Sequence, residues 1–137
     1  MKLNSQPAVL NADQKTVYEF LSDFNNFEQL MPEQIVNWKS DKETCSFTIR
    51  GMADLSLKYS RTEPFHSVEV VPVGKPPIDF TLAINLEPHE QDDMKTTGII
   101  EIDSNLNPMM TMIAKRPLEN LVNAMSQKLN EIFAGYG

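Results

Sequence analysis

Tyr59 and Arg61 are the residues of this sequence best suited to meet a polar group on a small molecule. In a strand, side chains two apart share a face. A phenol and a guanidinium therefore follow Leu55 and Leu57 on one side, where they would fit a carboxylate or phenolate. The same spacing also suits a phenol tipped to water and a solvated arginine paired with Glu63. Glu101 and Asp103 could approach each other as a carboxylate pair, but Ile100 and Ile102 take the opposite face, so both acids are expected to face water. His66 and His89 fall in different turns without metal-ligand spacing, so no metal is assigned. Cys45 reads as a small buried hydrophobe rather than a nucleophile. The sequence has no glycine-rich phosphate loop and no nucleotide fingerprint. No catalytic residue and no cofactor is assigned.

The chemistry is sparse, so the scaffold carries most of the information. The 137 residues are 41% apolar and 23% charged, which fits one domain over 1–137. Nineteen acidic against twelve basic residues give a formal charge of −7, the wrong sign for nucleic acid or anionic headgroups. A single cysteine excludes an internal disulfide and a cysteine-based zinc cluster, and it fits a reducing compartment. Residues Met1 to Leu10 hold no signal-like apolar run, and no stretch approaches the roughly 20 apolar residues of a membrane span. A cytoplasmic protein without integral membrane association is expected.

Asn11, with Gln14 three residues on, reads as a capping-box-like start for a helix carrying Val17, Phe20, Leu21 and Phe24. Phe27, Leu30 and Met31 predict a second, one-to-two-turn helix before Pro32. From Gln34 to Leu106 the period falls to 2, with breaks at Ser40–Glu43, Gly51, Glu63–Ser67, Gly74–Pro77 and Pro88–Asp93. This is an antiparallel meander whose dry face holds Cys45, Phe47 and Ile49, then Leu55 and Leu57, then Phe80, Leu82, Ile84 and Leu86. Asn107 and Pro108 open a helix of about 27 residues that Gly135 would stop. Its stripe of Leu118, Leu121, Val122, Met125, Leu129, Ile132 and Phe133 predicts a helix lying on the sheet, with a bend or break at Pro117. Residues 1–10 are expected to add one strand, with Leu3 and Val9 inward and Pro7 confining it to an edge or bulge.

The segment NADQKTVYEFLSDFNNFEQLMP, Asn11 to Pro32, resembles the opening of small polyketide cyclase/dehydrase-type and coenzyme-Q-binding members of the START-like, or SRPBCC, superfamily. The run RPLENLV, Arg116 to Val122, adds to the resemblance. It implies an α+β helix-grip fold: a curved antiparallel sheet of about seven strands around the C-terminal helix, with a cavity between them. The expected function is binding of a small hydrophobic molecule of lipid, quinone or polyketide-like character. A curved sheet under one helix leaves volume lined by hydrocarbon. Trp38, Phe47, Leu57, Tyr59, Arg61, Phe80, Leu82, Met109, Met112 and Ile113 are the candidate ligand-binding residues. Trp38 would stack on a planar ligand or anchor the sheet, and the methionines would gate the pocket or fill a corner. Two alternatives stay open. One is a cyclase/dehydrase-type enzyme in which Tyr59 or Arg61 polarises a carbonyl. The other is an interaction module with a filled core and a protein partner or second copy on its exposed methionines.

Overall fold

A computed structural model describes residues 1–90 and 92–134. Two three-residue strands, β1 (Lys2–Asn4) and β2 (Ala8–Leu10), precede helix α1 (Gln14–Leu21), the single turn α2 (Phe24–Phe27) and a 3-10 turn at Glu28–Leu30. Six strands follow: β3 (Ile35–Ser40), β4 (Thr44–Ile49), β5 (Ala53–Glu63), β6 (Ser67–Pro72), β7 (Thr81–His89) and β8 (Asp92–Asp103). Helix α3 (Pro108–Ile132) closes the fold. Every neighbouring pair is antiparallel, in the order β1-β8-β7-β6-β5-β4-β3, and β2 also pairs with β8. The meander breaks where its turn residues predict.

The N-terminal strand is two strands because Pro7, lacking an N–H, interrupts the ladder along β8. Ser5 bridges the gap: its N–H donates to the Ile100 carbonyl at 2.8 Å, and its hydroxyl accepts from the Ile100 N–H at 3.0 Å. Helix α3 serves the neighbouring peptide, since Ser126 Oγ donates to the Gln6 carbonyl at 2.7 Å and Asn123 Oδ1 accepts from the Gln6 N–H at 3.3 Å. The Ser5 N–H and both backbone polar groups of Gln6 are thereby partnered at the break. The break also resets the inward face. Ala8 and Leu10 are buried while Val9 is 43% exposed, which corrects the assignment of Val9 to the core.

The cap of α1 is Asp13, not Asn11: its carboxylate accepts from the Thr16 N–H at 2.9 Å. Gln14 instead donates to the carbonyls of Phe65 and Leu86, tying the helix start to two hairpins. Asn107 caps α3 through the Met110 N–H at 2.8 Å, and Pro108 takes the first helical position. The helix runs through Pro117 without a break. The carbonyl that loses its partner belongs to Ile113, an exposed residue that water can serve. Ala114, Leu118, Leu121, Val122, Met125 and Leu129 form its buried face, whereas Ile132 is exposed. Gly135, the expected stop, lies outside the described residues.

Candidate functional site

The concave face of the sheet and the buried face of α3 meet over an apolar cavity. Inward positions of successive strands build its floor: Phe47 and Ile49 from β4, Leu57 from β5, Val70 from β6, and Leu82 from β7 with Phe80 just before it. Leu121 and Met125, four apart on α3, form the roof. Phe27, Met31 and Trp38 close the remaining side. The free volume is about 10 Å³, near the threshold for one water molecule. Of the lining residues only Met31 and Trp38 are half-exposed, so the cavity meets solvent along the seam between the 3-10 turn and edge strand β3.

A backbone irregularity aims Trp38. Val36 faces Thr48 and Lys39 faces Ser46, so β3 carries one residue more than β4 over this stretch. Asn37 takes up the excess at φ 57°, a conformation asparagine tolerates better than most residues. The bulge swings Trp38 over Phe47, with ring centroids 5.4 Å apart and planes 14° from parallel. The indole Nε1 donates to Ser40 Oγ at 3.0 Å, and Ser40 Oγ donates to Asn25 Oδ1 on α2 at 2.7 Å.

The structure divides the ten candidate residues in half. Trp38, Phe47, Leu57, Phe80 and Leu82 line the cavity. Tyr59, Arg61, Met109, Met112 and Ile113 do not. Tyr59 stacks on Phe24 at 4.3 Å, and its hydroxyl donates to the Leu21 carbonyl at 2.5 Å, closing an orphan acceptor at the end of α1. A bulge separates Tyr59 from Arg61: Tyr59 faces the inward Val70, but Arg61 faces Glu69. The simple alternation that put phenol and guanidinium on one face therefore fails, and Arg61 lies outside, paired with Glu63. Met109, Met112 and Ile113 are 72%, 84% and 53% exposed on the helix face opposite the buried stripe, so they do not gate this cavity.

Six lining residues were not among the candidates. Leu121, Met125 and Ile49 belong to recognised dry faces, and Phe27 and Met31 to the short apolar face before Pro32. Val70 alternates with the outward Glu69, the same period-2 signal that marks the neighbouring strands. Burial raises the Tyr59 hydroxyl well above the usual phenol range, so it stays protonated. Burial also pushes the Cys45 thiol up to about 12, leaving it unreactive. His89 Nδ1 lies 3.2 Å from Thr97 Oγ1, while His66 is exposed in its turn. Among the described residues no cluster of His, Cys, Asp or Glu could hold a metal, and no helix is long and apolar enough to cross a membrane.

No protein-family model and no curated protein matches the sequence. Solved structures do match over nearly the whole chain. The protein XoxI of Bacillus cereus superposes with a TM-score of 0.74 at 8% identity, covering 97% of this chain and 95% of its own. KanY superposes with a TM-score of 0.72 at 9% identity, covering 98% of each chain. A START superfamily protein of Mycobacterium smegmatis superposes with a TM-score of 0.66 at 12% identity, covering 96% and 98%. Element order, sheet topology and these superpositions agree: the chain has the START-like, or SRPBCC, helix-grip fold.

Proposed function

We propose that this protein binds a small hydrophobic molecule between the sheet and α3, holding it by shape and desolvation. One observation carries the reading: every side chain around the cavity is apolar, and the one polar tip among them, the Trp38 N–H, is already bonded to Ser40. Such a lining rewards hydrocarbon and offers a buried carbonyl or hydroxyl no side-chain partner. Among lipid, quinone and polyketide-like ligands, the part held inside is therefore a hydrocarbon chain or unsubstituted ring. It also weighs against a cyclase or dehydrase, since no lining side chain can move a proton and the Tyr59 hydroxyl is committed to Leu21. The cavity as it stands admits about one water, so binding requires outward movement of side chains at the mouth. A cytoplasmic carrier fits the buried, unpaired Cys45.

Native mass spectrometry of the freshly purified protein, followed by solvent extraction, tests the reading together with titration of N-phenyl-1-naphthylamine, an uncharged apolar fluorophore. A stoichiometric adduct, or saturable uptake of the probe at one per chain, is expected. A bare mass with no probe uptake overturns it. A second reading rests on the outward face of Met109, Met112 and Ile113. The stretch from Ser104 to Leu118 carries Lys115 and Arg116 and no acid in a chain of net charge −7. Such a face fits an acidic protein partner and predicts binding that weakens with salt.

A further inference from the structure

The cavity is nearly filled, yet its mouth is defined, and the residues there form a hydrogen-bonded chain that the apolar lining does not explain. Trp38 lies across the seam as the largest half-exposed lining side chain. Its ring rests on Phe47, its N–H is held by Ser40 Oγ, and Ser40 in turn donates to Asn25 Oδ1. The indole N–H can only donate, so Ser40 accepts with one lone pair and directs its own proton at Asn25. Asn25 belongs to α2, which runs directly into the 3-10 turn, and Ser40 to the end of edge strand β3, so the chain ties β3 to the helical segment on the other side of the seam. One other bond crosses nearby, from the Phe24 N–H to the Lys42 carbonyl at 3.2 Å, but it lies beyond β3 in the hairpin and does not touch the indole.

We infer that Trp38 is the gate of the cavity and that Asn25 and Ser40 latch it shut. The inference rests on the cavity-binding reading and names its control. An apolar molecule reaches Phe47 and Leu57 when the indole leaves Ser40 and swings out past the flexible Met31 side chain. The αL residue Asn37 beside it places the tryptophan on a bulge that no β3–β4 pairing holds, so the ring moves without breaking the ladder at Lys39. Ser40 and Asn25 are positioning residues that act through Trp38. They determine how readily the cavity opens and leave the lining itself unchanged.

Trp38 is the only tryptophan, so its emission reports the gate directly. Stopped-flow uptake of N-phenyl-1-naphthylamine and acrylamide quenching of Trp38 are measured on the full chain and on S40A, S40T, N25A and N25D. Loss of one neutral hydrogen bond predicts uptake about two- to tenfold faster in S40A and N25A, with stronger quenching in the absence of probe. S40T keeps the hydroxyl and N25D keeps the acceptor, so both should stay near the unsubstituted rate. Asn25 is exposed on a one-turn helix, so N25A tests the latch even if S40A fails to fold. If the probe binds but S40A and N25A match the unsubstituted chain in rate and quenching, the latch is wrong and the cavity reading stands. If no variant takes up the probe, the cavity reading fails and the latch fails with it.

Discussion

Tyr59 shows how one hydroxyl can change the functional reading of a chain. Pointed into the cavity it would be the one side chain there able to polarise a carbonyl; bonded to the Leu21 carbonyl it secures the end of α1. Tyr59→Phe should therefore cost about 1 kcal/mol of stability, the net worth of a neutral hydrogen bond, and leave the affinity for an apolar probe unchanged. Urea denaturation and probe titration on the same sample check both halves. A fall in affinity with stability intact would return Tyr59 to the site. Leu121 makes the opposite case, because it is buried and lines the cavity. Leu121→Ala removes three carbons from the roof, which predicts a loss of about 2–5 kcal/mol in stability together with tighter and faster probe binding. A variant that is destabilised yet binds no better would mean the space collapses or is never reached by ligand.

At the level of elements, period and punctuation carried most of the fold. Strict alternation in Cys45–Ile49 and Phe80–Leu86 and the Asn107–Pro108 start of α3 needed no tertiary information. The errors fall where the backbone departs from its period. The bulge between Tyr59 and Arg61 turns Arg61 outward, and nothing in the Tyr-Ser-Arg sequence announces it. Ala8, Val9 and Leu10 are all apolar, so the inward pair was set by pairing along β8 rather than by composition. Met109, Met112 and Ile113 read as a pocket gate or corner filler because methionine adapts to apolar ligands and cores alike, whereas the helix phase fixed by Ala114 and Leu118 turns them to solvent. The start of α1 was misplaced by two residues, since Asn11 and Asp13 are both good caps and only Asp13 reaches the Thr16 N–H. That cap carries its own pH signature. Hydrogen bonds from Thr16 favour the carboxylate and hold Asp13 below the ordinary aspartate range. A group whose folded pKa is depressed contributes fully above its unfolded value and loses that contribution as pH falls through the folded one. Bonds from the Thr44 and Glu43 backbones depress Asp41 in the same sense. Asp13→Asn retains an acceptor that does not titrate, so its thermal midpoint should fall less steeply than the parent's below about pH 4. The double substitution with Asp41→Asn should flatten the acid limb further. Thermal unfolding between pH 7 and pH 2 decides it, and parallel acid limbs would remove both carboxylates from the account.

For the whole molecule the question is whether a nearly filled core opens by local movement or only by unfolding. Its stability is unevenly distributed. Strand β8 is paired with β7 along Thr81–Pro88 on one side and with β1 and β2 on the other, and α3 covers its inner face. Strand β3 has one partner, loses register at Asn37, and is tied at its end to the single turn α2 through the Ser40–Asn25 bond. An element with few ladder bonds and half-exposed side chains opens at a free energy well below that of global unfolding. Amide hydrogen exchange should therefore be fastest, within the sheet, at the β3 positions and slowest in the paired centre of β7 and β8. Saturation with an apolar probe should slow β3 and the 28–31 segment selectively, because a ligand that binds only the folded state raises the free energy of every opening that releases it. If β3 exchanges as slowly as β8, with or without the probe, the seam has no opening cheaper than unfolding. The cavity would then be a packed core, and the outward face of Met109, Met112 and Ile113 would become the part of the molecule that meets a partner.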